Sequence, residues 1–210
     1  MTLSPRPKTL AVEVGRRLSR ADLPADSIEL ARYLLGKVVV HAHPAGRLAG
    51  RIVETEAYPP GDPACHAYRG RTARNASLFR ICGHCYVYFI YGSWNMLNVS
   101  SAHEGQGAGV LIRALEPVQG TQIMQGLRGV ARWTDLARGP GRLAQALSIE
   151  RHHDGLDLCR STRLWLAHGG HEVSEPGTSV RIGISRAVDQ PWRFYERGNP
   201  HVSGPARMRS

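Results

Sequence analysis

The stretch RIVETEAY, Arg51 to Tyr58, reads as a β-strand that carries two carboxylates toward its C-terminal end. Alternate residues of a strand share a face. The spacing therefore predicts Ile52, Glu54, Glu56 and Tyr58 on one side and Val53, Thr55 and Ala57 on the other. A strand that delivers two carboxylates and an aromatic ring to the start of a loop is a reasonable place for a general base. The plainer reading is a solvated acidic strand paired with arginine, and spacing alone favours it.

Upstream, the turn PAGRLAG joins this strand to an earlier one, Lys37 to His43. Before that, ADSIELARYLLG reads as a helix. Asp26 or Ser27 can cap it, Ile28, Ala31, Leu34 and Leu35 share a face, and Gly36 stops it. Downstream, residues 59–79 form a Pro- and Gly-rich loop that ends in a short helical turn near Asn75 to Phe79. YVYFIYG (86–92), MLNVSS (96–101) and GVLIRALEP (109–117) read as strands, and TQIMQGLRGV (121–130) and GPGRLAQALSI (139–149) as helices. TRLWLAH (162–168), SVRIGIS (179–185) and WRFYERG (192–198) read as later short strands. Strands in meander order with few helices between them predict an α+β fold. The expectation is a single domain over 21–205, a mostly antiparallel curved β-sheet with surrounding helices, behind a loose basic tail at 1–20.

The chain has 210 residues, 42% of them hydrophobic, enough for one sizeable core. No apolar run approaches the length of a membrane span. The opening MTLSPRPKTLAVEVGRRLSR lacks the apolar core of a secretory signal. The expected location is the cytoplasm, with no membrane association. Four cysteines in that compartment argue against stable disulfides. The net charge is +10, with 27 basic against 17 acidic residues. Lys8 and Lys37 are the only lysines, so nearly all the positive charge is guanidinium, the group that best matches phosphate. This balance favours a nucleic-acid partner.

Several side chains are candidates for such work. Tyr86 and Tyr88 share one face of their strand and Val87 and Phe89 the other, with Tyr86 and Phe89 read as core. Tyr91, at the strand end before Gly92, is placed to present a ring outward for stacking or wedging. ACHAYRGRTARN sets His66 and Tyr68 among Arg69, Arg71 and Arg74, either a solvated basic loop or a phosphate track with an aromatic for a base. Asn98 needs hydrogen bonds inside an apolar strand. Arg113 needs an anion: Glu54, Glu56 or a phosphate.

Together these motifs resemble the alkyladenine (3-methyladenine) DNA glycosylases of the mammalian type. GRIVETEAY, ACH, RN, YVYFIYG, LNVSS, VLIRALEP, GP, RIGI and RFYERGNPHVS occur in the family's order, from about Leu23 to Ser203. The resemblance implies a monofunctional enzyme, expected to act as a monomer because one lesion needs one copy, that hydrolyses the bond between a damaged purine and its deoxyribose in double-stranded DNA, without cofactor or metal. It implies Glu56 as the base that activates water, with Arg113 and the backbone carbonyl of Ile182 holding that water. It implies Tyr58, His66 and Tyr88 as the walls around the flipped base, Asn98 as the floor that opposes guanine's extra amino group, and Tyr91 as the intercalating finger. Arg69, Arg71, Arg74 and Arg142 are expected along the DNA backbone. The competing reading is a damage-binding module of the same fold without turnover.

ICGHC (81–85) poses a separate question, because it contains CxxC with an internal histidine. A redox CxxC sits at a helix start, and this one precedes a strand. A zinc site needs four ligands, and Cys65, His66, Cys82, His84 and Cys85 would have to draw His66 from the base pocket. The favoured reading is a turn that delivers the tyrosines behind it.

Overall fold

The computed structural model describes residues 14–90, 92, 94–170, 172, 173 and 175–204. Tyr91 and residues 1–13 of the expected tail lie outside the described residues. Val14–Arg17, which the sequence reading included in that tail, forms β1 and pairs with a later strand.

Asp26 opens the first helix, α1 (Ser27–Tyr33), where its carboxylate accepts the amides of Ile28 and Glu29 at 2.8 and 2.9 Å. Two free N–H groups of the first turn are satisfied in this way. β2 (Val38–His43) and β3 (Gly46–Tyr58) make an antiparallel hairpin. β4 (Cys85–Ile90), β5 (Trp94–Ser100) and β6 (Gly109–Gln119) follow as a meander. Then come α2 (Thr121–Arg128), α3 (Pro140–Ala146), β7 (Leu164–Gly169), β8 (Gly177–Ser179) and β9 (Arg193–Tyr195). Among the described residues, nine strands form one sheet. Its main path runs β1-β7-β2-β3-β6-β5-β4, with β9 beside β3 and β8 beside β9. The strand pairs are antiparallel throughout, as expected for the α+β class. Simple meander order fails at β6, which inserts beside β3, and at β7, which returns to the far side of β2.

β3 is central to the sheet. One edge runs along β6, and the other pairs first with β2 and then, from Glu54 to Glu56, with β9. The β3–β6 register shifts first between Ala49 and Gly50, and then slips and slips back between Ile52 and Thr55. Ile52 faces Leu115, Glu54 faces Ala114 and Thr55 faces Ile112, which leaves Val53 and Arg113 as the extra residues of two opposed bulges. These bulges overturn one sequence expectation. Ile52 packs in the main core with Ala57, Ile112 and Leu115, while Val53 packs with Ala114, Tyr195 and Val202. Strict alternation would have put Ile52 beside Glu54, but the extra residue between them reverses the faces.

The main core joins α1 and its C-cap (Leu30, Leu34) and α3 (Leu143, Ala144) to this side of the sheet. Thr55 donates its hydroxyl to the Ala31 carbonyl at 2.8 Å, tying β3 to α1. Truncating a fully buried leucine such as Leu115 would cost about 2–5 kcal/mol. α3 approaches β5 closely because Gly141 lacks a side chain: a Cβ there would lie 2.7 Å from the Trp94 ring. Pro140 opens that helix at a position where no amide hydrogen is needed. No described helix is long and apolar enough to cross a membrane.

SVRIGIS departs from its reading as a strand. The strand ends at Ser179, and residues 180–187 form an irregular loop across the end of β3. Arg181 turns inward rather than alternating, and Gly183 takes a left-handed φ of +78°.

Candidate active site

The end of β3, the bulge of β6 at Arg113 and the start of β9 bring four buried charged side chains together. Glu54 and Arg193 have no solvent exposure, nor has Glu56, and Arg113 is 6% exposed. Glu54 Oε1 accepts from Arg113 Nε at 2.8 Å, from Arg193 Nε at 2.7 Å and from the Ser203 hydroxyl at 2.8 Å. Its Oε2 takes the Ser203 amide at 2.6 Å. Burial raises the Glu54 carboxyl, but Arg113 and Arg193 outweigh it and hold the group below the usual carboxylate range. Arg113 then reaches on to Glu56 Oε1 with Nη1 at 3.2 Å. Of the anions named for Arg113, both carboxylates are thus its partners.

Glu56 has two further donors. Tyr58 gives its hydroxyl to Oε2 at 2.8 Å, and the Ile182 amide gives its hydrogen to Oε1 at 2.7 Å. All the named partners of Glu56 are donors. A carboxylate has about four acceptor sites, so Oε2 keeps capacity for one more donor. Burial and the adjacent Glu56 push the Tyr58 phenol up, so it remains a donor at neutral pH. Sequence reasoning named Ile182 for its carbonyl, whereas the amide N–H is the group in contact with Glu56.

Above this cluster lies a cavity of about 580 Å³. Of the residues expected around it, Tyr58, His66, Tyr88, Asn98, Arg113 and Ile182 line it, while Glu56 lies just behind, reached through Tyr58, Arg113 and Ile182. His66 and Tyr88 meet with ring centroids 4.4 Å apart and planes at 64°, and Tyr86 stacks on Tyr88 at 5.4 Å. His66 Nδ1 also lies 3.0 Å from the Tyr86 hydroxyl. Desolvation around the His66 ring, then the charge of Arg74, lower its proton affinity. Asn98 is buried and directs one amide hydrogen to the Tyr86 carbonyl at 3.2 Å.

The basic candidates divide. Arg69 lines the cavity, and Arg142 stands exposed on α3, whose first residue, Pro140, also lines it. Arg71 and Arg74 are exposed on the loop before residues 76–79, and Arg74 donates to the Phe89 carbonyl at 3.3 Å. Phe89 corrects an expectation: the residue is 48% exposed rather than core, because the β4–β5 hairpin runs on past the packed layer. Tyr86 is buried as expected, yet it also lines the cavity.

The CxxC segment forms a tight turn. Gly83 holds φ of +94°, and a Cβ there would lie 2.7 Å from both Arg20 and Leu23. Cys82 donates its thiol to the Pro24 carbonyl at 3.4 Å. Burial pushes the Cys82 thiol up to about 12 and Cys85 well above the ordinary value, so both are thiols at neutral pH. The strand of tyrosines starts at Cys85 itself.

Two residues of the site were missed. Arg193 lay in a stretch read only as a strand, and Arg181 lay in another. Arg181 is buried and bonds both oxygens of Asp62, and its guanidinium lies 4.7 Å from the centre of the Tyr58 ring. The available signal was a full charge inside the alternating apolar runs RIGI and RFY.

Comparison with known proteins bears directly on this arrangement. The family described as methylpurine-DNA glycosylase (MPG) matches residues 21–200. A protein of Mesorhizobium japonicum, provisionally named 3-methyladenine DNA glycosylase, is 56% identical over 191 residues, covering 91% of this chain and 92% of its own length. A Paraburkholderia phytofirmans protein of the same provisional name is 47% identical over 191 residues, covering 91% of this chain and 90% of its own. One from Methanocella arvoryzae is 48% identical over 182 residues, covering 84% and 90%.

Proposed function

The chain belongs to the methylpurine-DNA glycosylase family, and from that membership we propose that it is a DNA repair enzyme that excises damaged purines from duplex DNA. It extrudes the nucleotide, hydrolyses the bond between base and deoxyribose, and leaves an abasic site. One observation carries the reading: a fully buried glutamate, Glu56, is held by three donors, Tyr58, Arg113 and Ile182, that themselves line an aromatic-walled cavity.

A base stacked inside a duplex cannot be attacked at its sugar, so it must be flipped, at a cost of a few kcal/mol. Stacking returns about 1–3 kcal/mol per base. Tyr58, His66 and Tyr88 supply the rings. Glu56 takes a proton from water as the oxygen bonds to the sugar's anomeric carbon, and the electron pair of the broken bond leaves with the base. A purine alkylated at N3 or N7 already carries positive charge, so it departs neutral without further protonation. Negative charge near the sugar also favours its oxocarbenium-like transition state. Arg113 anchors Glu56 from the side of Glu54. Arg69, Arg71, Arg74 and Arg142 hold the phosphates, Tyr91 fills the gap, and one copy of the chain suffices for one lesion.

The test uses duplex oligonucleotides with a single hypoxanthine or etheno-adenine, alongside methylated DNA, each treated with hot alkali after incubation. Lesion-dependent strand cleavage supports the reading. Tight lesion binding without cleavage would make the protein a binding module instead.

A further inference from the structure

We infer that Arg181, through its buried pair with Asp62, is a positioning residue that sets the geometry of Glu56 and of the base-stacking wall. The guanidinium does not line the cavity. It lies behind it, where three segments of the site meet.

The first segment is the end of β3. Arg181 Nη1 donates to the Ala57 carbonyl at 3.0 Å, between Glu56 and Tyr58, and the guanidinium lies against the Tyr58 ring at 4.7 Å. The second is the loop of residues 180–187, to which Arg181 itself belongs. Its Nη2 donates to the Ala187 carbonyl at 3.3 Å, closing the loop on itself. The next residue is Ile182, whose amide points at Glu56 Oε1. The third is the segment that carries His66. Asp62 takes both terminal nitrogens of Arg181, accepts the Ala64 amide at 3.0 Å, and gives its carbonyl to the Cys65 amide at 2.9 Å. Trp192 covers another side of the guanidinium at 5.0 Å.

One buried fork therefore fixes three things at once: the amide that orients Glu56, the plane of Tyr58, and the root of the segment that carries His66. A guanidinium can do this because it is planar, always charged, and presents five donors in a fixed fan. The catalytic half of this inference rests on the glycosylase reading. The positioning half does not.

Replacing Arg181 alone would strand Asp62 as a buried unpaired charge and risk the fold. The test is therefore Arg181→Met together with Asp62→Val, which exchanges the pair for apolar side chains close to its own volume. Two readouts are taken on the full chain. One is hydrogen exchange and chemical shift of the Ile182 amide by NMR with nitrogen-15 labelling. The other is the single-turnover excision rate, set against affinity for the lesion duplex. A folded double variant whose Ile182 amide exchanges about ten-fold faster or more, with excision slowed by about a hundred-fold, lesion-duplex affinity weakened and undamaged-duplex affinity unchanged, supports the inference. An unmoved Ile182 amide overturns it, and so does a released amide with an unchanged rate. Failure of the wild type to excise any lesion would overturn the glycosylase reading alone. The amide would then decide the positioning role by itself.

Discussion

Glu54 and Arg193 are both wholly shut from solvent, and Arg193 Nε donates to Glu54 Oε1 at 2.7 Å. Arg113 shares the same oxygen, so a single carboxylate compensates parts of two buried guanidiniums. Glu54→Gln keeps the shape and removes the charge. The expected outcome is a loss of about 3–5 kcal/mol of stability, as for any buried ion pair with one partner removed. Urea unfolding midpoints would measure it, and a loss below 1 kcal/mol would mean that the cluster relaxes around a neutral group.

Glu56→Gln separates binding from chemistry. The amide cannot take a proton from water, so excision should fall by at least about a hundred-fold. Affinity for a lesion duplex should remain near wild type, since the cavity walls are untouched. Near-normal turnover would remove Glu56 from the mechanism.

Tyr88→Ala, made in the Glu56→Gln background so that no turnover intervenes, deletes the ring that meets His66 and Tyr86. Loss of about 1–3 kcal/mol of stacking corresponds to roughly 5- to 150-fold weaker binding of an etheno-adenine duplex. Undamaged duplex should bind as before. An equal loss on both duplexes would mean that Tyr88 supports the surface rather than the flipped base.

The exposed arginines should behave as phosphate contacts. Arg71→Ala or Arg142→Ala should weaken all duplexes alike and lower the slope of log affinity against log salt by about one. A change confined to lesion-containing DNA would move the residue from the backbone to the base.

Acid should destabilise the fold in two stages. Burial depresses His153 and His201 to about 4 from the ordinary 6.5. Both are neutral in the fold and protonate more readily in the unfolded chain. Their contribution is therefore complete above about 6.5 and is lost as pH falls toward about 4. Each shift corresponds to roughly 3 kcal/mol at the upper end. Glu54, held low by its arginines, adds a contribution that disappears below the ordinary carboxylate value of 4.5. Unfolding measured from pH 7.5 to 4 should show stability falling first below 6.5, and His153→Gln should flatten part of that fall.

Much of the site was legible in the sequence because side-chain chemistry marks it. A charge among apolar neighbours singled out Arg113, whereas Tyr88 was marked as a wall only by the family resemblance. Strand alternation correctly paired Glu54 with Glu56 and Tyr58. It failed at Ile52, because a bulge is a property of two paired strands and neither sequence alone reveals it. It failed again at Arg181, where alternation suggested a strand and the attraction of Asp62, 119 positions away, decided the path. Phe89 was misread because local pattern cannot say where the packed layer ends.

The two opposed slips at Val53 and Arg113 have a consequence for how this chain can change. Each is a one-residue insertion relative to a regular ladder, and each cancels the other. A deletion of Val53 by itself would leave Ile52 next to Glu54 with Leu115 and Ala114 still their partners, and ordinary alternation would keep the two on the opposite faces they already occupy. What it would lose is the packing of Val53 against Tyr195 and Val202 and the carbonyl that accepts the Glu196 amide at 3.0 Å. A deletion on the opposite strand would take Arg113, and with it the bridge between Glu54 and Glu56. The two extra residues are therefore not interchangeable: one can be given up at a cost in packing, and the other holds a side chain of the site.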